Sequence, residues 1–64
     1  MKAIDVKAGD FSPGYYQAIK DAEKIENHKV QVKVRYLTTG ITEYRIWGVL
    51  EETGMMPAAQ QPLF

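Results

Sequence analysis

Four residues in "KVQVKVRYLTTGITEYRIWGVLEE" could act together: Lys33, Arg35, Arg45 and the single tryptophan, Trp47. An indole stacks on any nucleobase, and ammonium and guanidinium groups meet phosphates, so the combination suits DNA or RNA. The same stretch carries Leu37, Ile41 and Val49. With Trp47 they form an apolar patch of the kind that marks a homodimer interface. Nucleophilic or acid–base chemistry finds less support. Ser12 is the only serine and precedes Pro13, where a helix cap explains it. His28 is the only histidine, between Asn27 and Lys29. Asp5, Asp10, Glu51 and Glu52 have no spacing that forces a carboxylate pair. "GDFSPG" lacks the glycine spacing and the lysine of a phosphate loop. The expectation is no catalytic residue, no cofactor, no small-molecule substrate and a non-enzymatic protein.

The elements that position these groups must fit in 64 residues, enough for one domain. A core this small is marginal without a staple, and the chain has no cysteine for a disulfide or thiolate site. With one histidine, no metal site is expected. Association is the remaining staple. Eight basic and eight acidic residues cancel, so bulk charge favours neither nucleic acid nor a membrane surface. No apolar run reaches the ~20 residues that span a bilayer. The opening "MKAIDVKAGDF" lacks a signal peptide's apolar segment. No membrane partner and a cytoplasmic location are the expectation.

Residues 2–7 alternate, with Ile4 and Val6 on one face, and predict a short strand. "SPGYYQAIKDAEKIEN" predicts a helix, capped by Ser12, with Pro13 in its first turn. Tyr15, Ala18, Ile19, Ala22 and Ile25 recur at helical spacing along one stripe. Two alternating runs about "TTG" predict a hairpin. A three-residue loop, Thr38-Thr39-Gly40, sets Val30 opposite Gly48, Val32 opposite Ile46, Val34 opposite Tyr44 and Tyr36 opposite Thr42. One face is then coherently apolar, and Gln31, Lys33, Arg35, Glu43, Arg45 and Trp47 fall on the other. The predicted fold is α+β: a small β-α-β-β domain over residues 1–51, one helix packed on a hairpin-containing antiparallel sheet. Residues 52–64 follow as an irregular C-terminal tail.

The tail ends Gln60-Gln61-Pro62-Leu63-Phe64. This pentapeptide resembles the bacterial sliding-clamp-binding motif: glutamine, a variable or leucine position, a small or acidic position, leucine, phenylalanine. It departs at Gln61, where leucine is commonest, and at Pro62, where serine or aspartate is usual. The resemblance implies the DNA polymerase sliding clamp as partner. Gln60 would then hydrogen-bond at the edge of the clamp's groove, and Leu63 and Phe64 would fill its apolar pocket. The implied protein recruits or blocks clamp partners, and a phage or other mobile element is the expected source. The competing expectations are a nucleic-acid-binding regulator using Lys33, Arg35, Arg45 and Trp47, and an oligomeric assembly subunit.

Overall fold

A computed structural model describes residues 1–58 of the chain. It is an antiparallel sheet of five strands: β1 (Phe11–Ser12), β2 (Tyr16–Ala18), β3 (Glu23–Glu26), β4 (Lys29–Tyr36) and β5 (Thr42–Gly48). Over residues 1–57 helical structure is confined to a 3-10 turn at Ala3–Asp5. The α+β expectation is therefore overturned, for the helix and for the first strand alike.

Residues 12–27 form strands because of two dipeptides. Pro13-Gly14 occupies the centre of a turn in which the Tyr15 N–H bonds the Ser12 carbonyl at 3.0 Å. Gly14 lies at φ +79°, as position i+2 of a type II turn requires. Ser12 closes this turn with its backbone carbonyl, in place of the expected helix cap. Asn27-His28 then forms a two-residue hairpin loop between Glu26 and Lys29. Between these turns an isolated helix would be marginal in water, whereas the strands find partners. Tyr16 pairs with Tyr36 and Ala18 with Val34, both inward, and Gln17 points the other way. β3 is exposed throughout and joins the sheet through its pairing with β4, with an irregularity between Lys24 and Glu26.

β4 lies at the centre, flanked by β5 on one edge and by β2 and β3 on the other. Its Val30, Val32 and Val34 are fully buried. The hairpin register differs from the expected one by a single residue. Val30 lies opposite Trp47, Val32 opposite Arg45 and Val34 opposite Glu43. The loop is thus four residues, Leu37–Gly40. The Tyr36 N–H bonds the Ile41 carbonyl, and the Gly40 N–H bonds the Tyr36 carbonyl, each at 2.8 Å. Gly40 takes φ +73°. Since side chains alternate along a strand, a one-residue shift inverts β5. Trp47 turns into the core, and Tyr44 and Ile46 turn out, 51% and 58% exposed. This register buries the side chain with the largest apolar surface beside the three valines.

One sheet face is covered by the chain's two flanks. Ala3 and Val6 are fully buried, and Met55 nearly so; Met1, Ile4, Ala22 and Val49 pack around them. Where a strand was expected over 2–7, the Ala3 and Ile4 N–H groups instead bond the Glu51 and Val49 carbonyls at 2.9 and 3.1 Å. Of the 52–64 stretch read as a tail, residues 52–58 lie against the body. Phe11 and Met56 exchange backbone hydrogen bonds at 3.0 and 2.7 Å. Asp10, 6% exposed, accepts from the Lys7 N–H at 2.8 Å and from the Ala58 N–H at 3.0 Å. One carboxylate thereby ties the first loop to the C-terminal segment.

Candidate interaction face of the sheet

The flanks cover one side of the sheet and leave the other open. The outward positions of β4 are Gln31, Lys33 and Arg35, and their partners on β5 are Ile46, Tyr44 and Thr42. Gln17 of β2 adjoins Arg35, and Glu23 of β3 adjoins Gln31, whose amide bonds the Glu23 carboxylate at 2.9 Å. The Lys33 ammonium lies 5.7 Å from the centre of the Tyr44 ring, within range of a cation–π contact. The open face thus has an aromatic and an isoleucine at one side and two cations alongside.

The four residues of the expected nucleic-acid or dimer face are divided between the two sides. Lys33 and Arg35 lie on the open face. Arg45 and Trp47 lie on the covered one, because β5 is inverted relative to expectation. Trp47 is 9% exposed and belongs to the core. The Arg45 guanidinium sits 5.1 Å from the Tyr16 ring centre and 5.6 Å from that of Trp47. It donates to the Tyr36 hydroxyl at 3.2 Å, and that hydroxyl also bonds the Glu43 carboxylate. The Tyr36 bond raises the Arg45 pKa above its ordinary value, so this group stays charged. Tyr16 and Tyr36 meet edge to face at 5.7 Å. Arg45 is therefore a cation held against aromatic rings, an arrangement that suits a guanidinium and explains why the strand tolerates a charge on its inward side.

His28 and several of the acidic side chains have structural work. His28 is exposed in the hairpin turn, and its carbonyl accepts the Val49 N–H at 2.9 Å. Asp21 accepts from the Ala8 N–H at 2.8 Å, and Glu51 from the Gly48 N–H at 3.0 Å. Glu52 pairs with the Met1 amino group. This hydrogen bond holds the Glu52 carboxyl below its usual range. Among the described residues there is no group of three His, Asp or Glu side chains that could hold a metal ion, and no pocket. No helix among them is long and apolar enough to cross a membrane.

Gln60, Leu63 and Phe64 lie outside the described residues. Tyr44 and Ile46 are the open-face residues that sequence reasoning placed in the core. The length of the hairpin loop was the signal that would have found them, since one added loop residue exchanges the two sides of β5. Comparison of the chain with protein-family models, curated proteins and solved structures finds no match.

Proposed function

We propose that the chain is a non-enzymatic interaction protein whose pentapeptide Gln60–Phe64 engages the bacterial DNA sliding clamp. The observation that carries this reading is the motif itself, set just past a firm anchor. The Phe11–Met56 pairing and the Asp10 bond to Ala58 hold the segment two residues short of Gln60. The core described above is built from residues between Ala3 and Met55. In this reading the sheet is a compact carrier, and the motif supplies the binding through two large apolar anchors, as short peptides must. Binding there recruits the carrier to the clamp or excludes other motif-bearing proteins.

Capture of the full chain by purified clamp, with and without Leu63 and Phe64, tests the reading. The expected result is loss of capture on deletion with little change in the thermal midpoint. Failure of the intact chain to be captured, or capture that survives the deletion, contradicts it.

A second reading, nucleic-acid binding, draws support from Lys33 and Arg35 beside Tyr44 on the uncovered face. Trp47, being buried, is a poor reporter of such binding. A labelled oligonucleotide is the better probe. Two phosphate contacts to a single strand give a log–log salt slope of about −1.4. The double substitution of Lys33 and Arg35 by alanine removes that slope, and binding unaffected by it excludes this face.

A further inference from the structure

Among the described residues the outer edge of β5 pairs with no other strand. The Tyr36–Ile41 and His28–Val49 hydrogen bonds set the phase of the β4–β5 ladder. Because hydrogen-bonded and non-hydrogen-bonded pairs alternate along an antiparallel ladder, Thr42, Tyr44, Ile46 and Gly48 direct their N–H and C=O groups away from β4. The Gly48 N–H is taken by Glu51. For Thr42, Tyr44 and Ile46 no strand among the described residues lies alongside. Residues 42–48 contain neither proline nor lysine, two devices that commonly keep strand edges apart.

The geometry points to a second copy of this chain as the occupant, paired β5 to β5 about a two-fold axis at Tyr44. Charge selects this register. A symmetric antiparallel pair must join residues that face the same side, so its centre falls on a single residue. Centred on Arg45, the pairing sets Arg45 against itself. Centred on Glu43, it sets carboxylate against carboxylate. Centred on Ile46, it sets Arg45 against Trp47 and leaves both charges without a counterpart. Centred on Tyr44, it sets Glu43 of each copy directly opposite Arg45 of the other, and symmetry makes two such pairs.

That register is also favourable on the ladder. The outward groups of Thr42, Tyr44 and Ile46 are all used. Glu43 and Arg45 then occupy non-hydrogen-bonded positions, where facing side chains approach most closely. On the open face the two Tyr44 rings meet, with each Ile46 opposite a Thr42, joining side chains that are half exposed in one copy. Within one copy Glu43 and Arg45 already share the Tyr36 hydroxyl, so the pairing brings two such clusters together on the covered face, each carboxylate opposite the other copy's guanidinium. The pairing joins two sheets into one, and the clamp reading is not needed for it.

Sedimentation of the full chain over a concentration series tests this. The expected species has twice the 7.3 kDa chain mass. Glu43→Lys sets like charges opposite Arg45 twice and is expected to weaken the dimer about tenfold or more. Arg45→Glu does the same with carboxylates. Mixing the two variants restores opposite charges at both positions and is expected to restore a dimer. Buried Trp47 emission reports whether each variant is folded. If Arg45→Glu does not fold, Tyr44→Pro serves instead. The Tyr44 N–H points outward, so proline there spares the bonds to β4 and removes those across the axis. A chain that stays monomeric throughout overturns the proposal. So does a dimer that persists in both Glu43→Lys and Tyr44→Pro.

Discussion

Trp47 lies directly opposite Val30, and both side chains belong to the buried core. Their neighbours along β5 follow by alternation: Arg45 inward against Tyr16 and Tyr36, Tyr44 and Ile46 outward. A stability comparison separates this arrangement from the one expected by hairpin patterning. Trp47→Ala is expected to cost about 3–5 kcal/mol, the usual range for emptying a large buried ring site. Tyr44→Ala, at a position half-exposed in the single chain, is expected to stay within about 0.5 kcal/mol at concentrations too low for β5 pairing. Denaturant midpoints of the two variants provide the check, and a reversed order would contradict the register.

Asp10 bonds two backbone N–H groups from segments far apart in sequence, those of Lys7 and Ala58. Replacing it by alanine leaves these donors without their acceptor. The expected loss is about 1–3 kcal/mol. Amide exchange should accelerate at Lys7 and Ala58 more than at Val32. Uniform acceleration instead would mean that Asp10 supports the fold as a whole and does not tie these two segments.

Gly14 has open space around the position of a Cβ, so an alanine there meets no neighbour. The backbone angle of +79° is nevertheless costly for any side chain. Gly14→Ala is expected to destabilise by about 1–2 kcal/mol. Chemical denaturation tests it. A neutral or stabilising outcome would argue for the helical conformation that the 12–27 segment was expected to adopt.

Glu52 ties the start of the chain to its C-terminal segment through the Met1 amino group, and its folded-state pKa is lowered from 4.5 by that hydrogen bond. A depressed carboxylate contributes stability that is present above its unfolded pKa and is lost as pH falls through the folded value. Glu52→Gln should therefore lower stability at neutral pH and converge with the parent in acid. Parallel stability–pH curves for the two proteins would exclude this contribution.

Two of the five strands, β4 and β5, were legible. The alternation of Val30, Val32 and Val34 identified one hairpin strand and its buried side, and the stretch around Gly40 identified the hairpin. Its register was not legible, because the three-residue and four-residue loops both place Gly40 in the left-handed region. The three-residue choice also yields the more uniformly apolar face. What that reasoning lacked was the capacity of Tyr16, Tyr36 and Trp47 to hold the Arg45 guanidinium, which makes an inward charge acceptable. The 12–27 segment misled for a different reason. Ala18, Lys20, Ala22, Glu23 and Lys24 are good or acceptable helix residues, but Pro13-Gly14 is a turn signal, and the pairing of Tyr16 and Ala18 with β4 outweighs local propensity. For the candidate face, Lys33 and Arg35 followed from the alternation along β4, whereas Tyr44 depended on the register.

The open face and the free edge of β5 both rest on the one-residue register of the hairpin, and close contacts between α-protons measure it directly. In the ladder described here, Lys33 and Tyr44 are a non-hydrogen-bonded pair, as are Gln31 and Ile46, and such pairs bring their α-protons together. Strong nuclear Overhauser effects are expected between the α-protons of Lys33 and Tyr44 and between those of Gln31 and Ile46. Strong effects joining Val34 to Tyr44 and Val32 to Ile46 instead would return Trp47 to the surface and contradict both the open face and the Tyr44-centred dimer.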